Sequence, residues 1–183
     1  PAACGTMEQI FERKMSKTQS LQFARHLHPT PLPADQRAAL LKNPGFGRVF
    51  TDHMVSVRYH ESKGWHDAKI EPRAPIPMDP AAAVLHYAQE IFEGLKAYRT
   101  ADGGATLFRP EENARRFQQS AERLAMPVLP ESVFLEACDL LVKTDRAWIP
   151  DGDGSLYQDI FKANQDVLTD PDKIKVGQRL RIP

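Results

Sequence analysis

The fold is decided by residues 85–108, which read LHYAQEIFEGLKAYRTADGGATLF. A polar stretch at residues 100–104 (TADGG) separates two short runs of apolar and β-branched residues. Asp-Gly-Gly in such a position favours a β-hairpin. Ahead of this hairpin, residues 82–93 fit a short helix or turn that ends before Gly94. We therefore expect a helix-to-strand junction followed by two antiparallel strands.

The preceding sequence predicts another pair of antiparallel strands. Residues 50–59 are rich in Phe, Val, Thr and Tyr with partial alternation, which favours a strand. Residues 61–64 (ESKG) form a turn signal, and residues 65–70 would return beside the first strand. Residues 26–45 contain four prolines and are expected to form a loop.

Two helices are predicted after the hairpin. Pro110 and Pro130 each stand where a helix can begin, and the glutamates that follow them suit a first turn. Apolar side chains then recur at helical spacing, namely at Ala114, Phe117, Ala121 and Leu124 and at Val133, Phe134, Ala137, Leu140 and Leu141. The order of two hairpins and then two helices predicts an α+β domain over residues 21–150.

Composition and charge exclude several classes of protein. The chain of 183 residues carries 24 Lys+Arg and 24 Asp+Glu. A net charge of zero provides no electrostatic drive toward nucleic acid or an anionic membrane. The longest apolar run, residues 81–85, is too short for a transmembrane helix, and no signal peptide is visible. The two cysteines fit a reduced, cytoplasmic setting. Residues 1–20 are expected to be a disordered tail.

The histidines, Cys138 and the helix arginines favour no single chemistry. The six histidines lack metal-ligand spacing, so no metal site is expected. Cys138 lies beside an apolar helix stripe and is interpreted as a buried structural thiol. Arg115, Arg116 and Arg123 form either a solvated helix face or a set in which one arginine holds a phosphate. The residue types alone do not choose among these arginines.

Residues 85–99 allow two interpretations. They place Tyr87, Phe92, two carboxylates and Gly94 where a helix meets a strand. Local physics predicts a core-forming junction in which Gly94 relieves backbone strain. The second interpretation comes from a resemblance, because this segment is similar to the signature of branched-chain amino acid aminotransferases, which are fold-type IV pyridoxal phosphate enzymes. Three further stretches agree with the family in order, at residues 44–54, 107–116 and 145–150.

The resemblance runs from about residue 21 to residue 157 and implies the family's small N-terminal domain. In that domain, antiparallel hairpins and two helices cover one side of the cofactor. Arg116 resembles the arginine that holds the cofactor phosphate. The substrate pocket is implied to include Phe46, Tyr87, Phe92, Gly94 and Tyr157.

The activity that the resemblance implies is reversible amino transfer between Leu, Ile or Val and 2-oxoglutarate. Pyridoxal phosphate is the implied cofactor, and a homodimer is the implied assembly. An apolar, aromatic-lined pocket suits branched aliphatic side chains. The family's Schiff-base lysine lies in a C-terminal domain, and none of this chain's lysines has its sequence context. We therefore expect a truncated domain with no catalytic residue of its own, which is inactive alone.

The last residues show a second resemblance. Residues 152–183 resemble the second half of a LysM domain, with one helix and one strand. LysM domains bind peptidoglycan and chitin, so the alternative function is non-catalytic glycan binding through residues 151–183. The meeting of two families in one chain predicts a fusion, a chimera or a designed sequence.

Overall fold

The computed structural model describes residues 21–45, 47–100 and 102–150. The expected tail at residues 1–20 and the LysM-like half at 151–183 lie outside these ranges. The described part is a mixed α+β structure. Its elements in chain order are β1 (Ala24–Arg25), α1 (Ala34–Leu41), β2 (His53–His60), β3 (Gly64–Pro72), α2 (Ala83–Tyr87), β4 (Ala97–Arg99), β5 (Ala105–Leu107), α3 (Pro110–Arg123), α4 (Glu131–Thr144) and a 3-10 turn (Arg146–Trp148).

The larger sheet has three strands in the order β1-β3-β2. Strands β2 and β3 pair antiparallel with Val55 opposite Ile70, which confirms the first predicted hairpin. Ala68 and Ile70, two residues apart on one face of β3, are both buried. Strand β1 adds a short parallel pairing with β3, Ala24 opposite Lys69, which the sequence analysis did not anticipate.

The second hairpin is also confirmed. Strands β4 and β5 pair antiparallel with Tyr98 opposite Thr106. Asp102 holds the turn together by accepting hydrogen bonds from the Thr100 hydroxyl and from the backbone N–H of Gly104, the latter at 3.1 Å. Gly103 has a φ of +77°, a conformation that glycine adopts without steric cost.

The two long helices pack on each other as their apolar stripes predict. Helix α3 buries Ala114 and Ala121, and α4 buries Val133. The rings of Phe117 and Phe134 meet across the helix pair with centroids 5.4 Å apart. Within the described ranges, none of the helices combines the length and the apolar character that crossing a bilayer requires.

The prediction of a loop over residues 26–45 is wrong, because α1 occupies Ala34–Leu41. The prolines before it do not interrupt the helix, since Pro33 stands at the N-cap and its carbonyl accepts the N–H of Arg37 at 2.9 Å. The guanidinium of Arg37 also donates to the carbonyl of Leu32 at 3.1 Å. A proline at a helix boundary loses no intrahelical hydrogen bond.

A buried histidine–aspartate pair joins β2 to the end of α4. Asp145 accepts the backbone N–H of His53 at 3.1 Å and the ring Nδ1 of His53 at 2.7 Å. The other ring nitrogen, Nε2, accepts the backbone N–H of His28 at 2.8 Å, which assigns the ring hydrogen to Nδ1. Nearby, the indole N–H of Trp148 donates to Asp52 at 2.8 Å. The contacts of Asp145 and Trp148 connect residues more than ninety positions apart in the sequence.

We expect Asp145→Ala to lower the free energy of unfolding by about 2 to 4 kcal/mol, because it leaves two buried donors of His53 without an acceptor. Urea denaturation followed by tryptophan fluorescence measures the loss. The control is Asp139→Ala, which removes an exposed carboxylate paired with Lys143 on the same helix. The control should cost less than about 1 kcal/mol. Equal losses in the two variants would contradict the role given to Asp145.

Candidate functional site

The segment between α2 and β4 is irregular and is tied to α3 at both of its ends. Helix α2 stops at Ala88, which has a φ of +48°. The side-chain amide of Gln89 then donates to the carbonyl of Leu124, at the C-terminal end of α3, at 3.0 Å. Toward the other end, Glu93 contacts the first half of α3. We call residues 88–94 the junction segment.

The carboxylate of Glu93 is the centre of the second attachment. It accepts four N–H donors, from the backbone of Gly94, the amide of Asn113 and two nitrogens of Arg116. The Arg116 contacts are Nε to Oε2 at 3.1 Å and Nη2 to Oε1 at 2.9 Å. Asn113 also donates to the carbonyl of Gly94 at 2.7 Å. One glutamate therefore connects the junction segment to two residues one turn apart on α3.

The charges of this cluster reinforce one another. Hydrogen bonds from Arg116 lower the pKa of Glu93 below its usual value, burial opposes them, and the contacts with Asn113 and Gly94 lower it further. The same pairing raises the pKa of Arg116. The Glu93 side chain is only 12% exposed, whereas that of Arg116 is 56% exposed. Glu93 is therefore an ionised, largely covered anchor, and Arg116 faces solvent.

The structure places four of the six sequence-predicted site residues. Arg116 lies on α3 and pairs with Glu93. Phe92 and Gly94 are the residues before and after Glu93 in the chain. Tyr87 ends α2, one residue before the junction segment. Phe46 and Tyr157 are outside the described residues. The sequence predictions for those two positions therefore stay predictions.

The core-forming interpretation of residues 85–99 is wrong. The side chains of Tyr87 and Phe92 are 83% and 90% exposed, so neither is part of a core. Gly94 does not have a positive φ. A Cβ at Gly94 would lie 3.7 Å from the Phe92 ring, which is an ordinary contact. Backbone strain is therefore not the reason for a glycine here, and the aromatic side chains are available to another surface.

Sequence reasoning missed Glu93, Asn113 and Gln89. Asn113 and Arg116 are three residues apart, so they share one helix face, and this spacing was a signal that the two act together. The partner carboxylate lies twenty or more positions earlier in the chain. Local periodicity contains no information about such a pairing.

Arg116 retains the means to bind a phosphate. Its Nε and Nη2 serve Glu93, while its Nη1 contacts no acceptor within the part of the chain that the structure describes. A surface concavity on the same side of α3 is lined by Arg116, Gln119, Ser120, Glu122 and Arg123. Two guanidinium groups, the Gln119 amide and the Ser120 hydroxyl suit an anion, and Glu122 is the one carboxylate of this lining. The residues present therefore fit the phosphate of a cofactor.

The other arginine considered from sequence has a different setting. Arg115 donates through Nη1 to Glu112 at 2.7 Å, and Glu112 also accepts from Arg109 at 3.0 Å. These three side chains are all at least one-third exposed and form a solvated ladder on α3. The solvated-face interpretation thus describes Arg115, and the phosphate interpretation fits Arg116.

Other reactive groups in the described ranges offer no competing site. His53 and Asp145 resemble a base with its orienting carboxylate, but both ring nitrogens of His53 are already hydrogen-bonded. Cys138 is half-buried, and burial raises the pKa of its thiol, which makes it a poor nucleophile. No cluster of three metal-ligating side chains is found in the described ranges.

Comparison with known proteins gives a consistent set of relatives. Over 129 residues the chain is 59% identical to a probable branched-chain-amino-acid aminotransferase of Streptomyces coelicolor. This alignment covers 69% of the chain and 36% of the relative. It is 52% identical over 139 residues to a branched-chain-amino-acid aminotransferase of Mycolicibacterium smegmatis, an alignment that covers 75% of the chain and 38% of the relative. It is 50% identical over 114 residues to the branched-chain-amino-acid transaminase 1 of Bacillus subtilis, an alignment that covers 62% of the chain and 32% of the relative.

The chain therefore spans between 32% and 38% of the length of these relatives. No family model matches the chain. The relatives support the aminotransferase resemblance over the N-terminal part of the sequence. The LysM-like interpretation of residues 152–183 has no support from these comparisons.

The exposure of Phe92 predicts that its side chain contributes little to folding. We expect Phe92→Ala to change the free energy of unfolding by less than about 0.5 kcal/mol. The control is Phe117→Ala, which removes a ring packed on Phe134 and should cost about 2 to 3 kcal/mol. Urea denaturation compares the two. A large loss in Phe92→Ala would show that this ring packs inside the folded chain.

The lowered pKa of Glu93 predicts a pH-dependent contribution to stability. A carboxylate whose pKa is lower in the folded state stabilises the fold above its ordinary value of 4.5 and loses that effect as the pH falls through the lower value. The wild-type chain should therefore be more stable than Glu93→Gln at pH 7, and the difference should shrink toward pH 3. The control, Glu136→Gln, changes an exposed position on α4. A difference that stays constant with pH would contradict the Glu93–Arg116 pairing.

Proposed function

We propose that residues 21–150 form the part of a branched-chain aminotransferase that holds the cofactor phosphate and contacts the aliphatic side chain of the substrate. The observation that carries this proposal is the placement of Arg116, which is fixed by Glu93 beside the exposed Phe92 and keeps donors free. The names of the relatives at 50% to 59% identity support the aminotransferase part of this proposal. Arg116 and Phe92 thus have the two properties, charge and apolar area, that such a site needs.

Arg116 is assigned the phosphate of pyridoxal phosphate. A guanidinium stays charged at any physiological pH and offers paired donors that match phosphate oxygens. Arg116 lines the concavity on α3 together with Ser120 and Arg123, and its Nη1 keeps its donors for a ligand. When bound, pyridoxal phosphate supplies the electron sink for amino transfer. The role of Arg116 is to hold and orient that group by its phosphate.

Tyr87, Phe92 and Gly94 are assigned to the substrate side. Large exposed aromatic rings attract apolar surface because burying them removes that surface from water. Branched aliphatic side chains of Leu, Ile or Val provide such surface. Phe46 and Tyr157 are proposed to complete the pocket on the strength of the sequence resemblance.

The chain of 183 residues is proposed to bind the cofactor and the substrate without catalysing amino transfer. The resemblance assigns the cofactor-carrying lysine to a sequence context that none of this chain's lysines has. Amino transfer needs that lysine both to attach the cofactor and to move a proton. The homodimer implied by the resemblance is likewise a proposal, to be tested by sedimentation.

The proposal is tested by comparing pyridoxal phosphate with pyridoxal, which lacks the phosphate. We expect the wild-type chain to prefer the phosphorylated compound, and Arg116→Gln to lose affinity for it by about tenfold, the effect of one charge-assisted hydrogen bond. The control, Arg115→Gln, removes the neighbouring charge, which pairs with Glu112, and should change affinity less than about twofold. Calorimetric titration measures each constant. Equal affinity of the wild-type chain for both compounds would contradict the proposal.

The proposed inactivity has its own test. After borohydride reduction with pyridoxal phosphate, intact-mass and peptide mapping should show no single preferred lysine. Leucine and 2-oxoglutarate should give no glutamate above the rate without protein. One specifically labelled lysine together with turnover would show that the chain is an active transaminase by itself.

A further inference from the structure

We propose that Glu93 is a positioning residue, which holds the Arg116 guanidinium in the orientation that binds phosphate. This inference rests on the proposed function, because it assigns Glu93 a part in the same phosphate site. It rests on three observations: the pairing geometry, the anchoring of Glu93 itself, and the contrast with the neighbouring Arg115.

The pairing is two-point and leaves the other edge of the guanidinium open. Nε donates to Oε2 at 3.1 Å and Nη2 donates to Oε1 at 2.9 Å. Two parallel bonds between planar groups fix the guanidinium plane as well as its position. The remaining donors are both hydrogens of Nη1 and the second hydrogen of Nη2. One hydrogen of Nη1 and the second hydrogen of Nη2 form a free edge next to the one that Glu93 occupies, so a phosphate can bind Arg116 without displacing Glu93.

Glu93 is itself held in place. Its Oε1 accepts the backbone N–H of Gly94 at 3.1 Å and the amide of Asn113 at 2.9 Å, in addition to the bond from Arg116. The buried Asn113 then donates to the carbonyl of Gly94 at 2.7 Å. The carboxylate is thereby fixed to the main chain of the junction segment and to α3. Because the Glu93 carboxylate is fixed, it restricts the rotamers that the paired Arg116 side chain can adopt.

The neighbouring arginine lacks this arrangement. Arg115 reaches Glu112 through one nitrogen, Nη1, and Glu112 divides the same oxygen between Arg115 and Arg109. A one-point contact on an exposed carboxylate leaves the guanidinium free to rotate. Arg116 therefore differs from Arg115 in having its long side chain ordered before a ligand arrives. Ordering a rotamer-rich side chain in advance removes a cost that binding would otherwise include.

The competing effect is electrostatic, since the negative charge of Glu93 opposes the approach of a phosphate. That effect acts across the width of the guanidinium and next to solvent, where Arg116 is 56% exposed, so water screens it. The loss of orientation acts directly on the donors that bind the phosphate. We therefore expect removal of the Glu93 charge to weaken phosphate binding.

The test uses the 183-residue chain with inorganic phosphate and with pyridoxal phosphate as probes. Glu93→Gln keeps the size of the side chain but replaces one acceptor with a donor facing Arg116. We expect its dissociation constants for both probes to rise about fivefold, the cost of ordering one long side chain. Glu93→Asp retains the charge and should recover part of the affinity. The matched control, Glu112→Gln, removes one acidic charge from α3 and should change neither constant by more than about twofold.

A second measurement reports orientation without any ligand. In ¹⁵N-labelled chain, the Nε–H of Arg116 should give a resolved signal that exchanges with water more slowly than that of Arg115. In Glu93→Gln this protection should disappear, while circular dichroism shows that the helices remain. If Glu93→Gln fails to fold, the comparison is made with Glu93→Asp, in which protection should fall to an intermediate value.

The outcomes separate this inference from the proposed function. Unchanged or tighter phosphate binding in Glu93→Gln, with Arg116 still binding phosphate in the wild-type chain, would overturn the inference alone. An Arg116 Nε–H that exchanges as fast as that of Arg115 would also overturn it. A protected Arg116 in a wild-type chain that binds neither probe would overturn the phosphate assignment, and the proposed function with it.

Discussion

The arrangement of the candidate site depends on one carboxylate that accepts hydrogen bonds from four N–H donors. Glu93 connects a segment without regular secondary structure to a helix of fourteen residues. Such a segment has no ladder of backbone hydrogen bonds to fix its path, so side chains must do so. Gln89 supplies a second attachment near the other end. Between these two points, the chain is positioned by α3 rather than by its own conformation.

The rest of the structure keeps α3 in place. Its apolar face lies on α4 through Phe117 and Phe134, and the end of α4 is joined to β2 by His53 and Asp145. This histidine–aspartate pair is buried and fully hydrogen-bonded, which is the condition under which polar groups in an interior stabilise a fold. The exposed rings of Tyr87 and Phe92 contribute to neither contact. Phe92, proposed to contact the substrate, is thus separate from the side chains that hold the helices together, whereas Glu93 contributes to both the fold and the proposed phosphate site.

The sequence predicted those elements whose signals are local. The Asp-Gly-Gly turn, the two proline-started helices and the first hairpin were all found close to their observed positions. Helix α1 is not predictable from proline content, because Pro29, Pro31 and Pro33 precede the helix and Pro44 follows it, so none interrupts it. The Glu93–Arg116 pair could not be found, because its members are 23 residues apart and neither belongs to a periodic pattern. Among the three arginines, only the family resemblance, and not the residue types, selected Arg116.

The position of Glu93 between Phe92 and Gly94 places the proposed phosphate contact and the proposed apolar contact on one short run of backbone. The carboxylate that orients the arginine belongs to the same short run of backbone that carries the exposed ring. A ligand that strengthens or weakens the Glu93–Arg116 pairing would therefore also change the free energy of the segment carrying Phe92. Linkage of this kind is reciprocal, so whatever factor an anion applies to affinity for an apolar ligand, the apolar ligand applies to the anion. Substitutions in this short segment would then change affinity for an anion and affinity for an apolar ligand together.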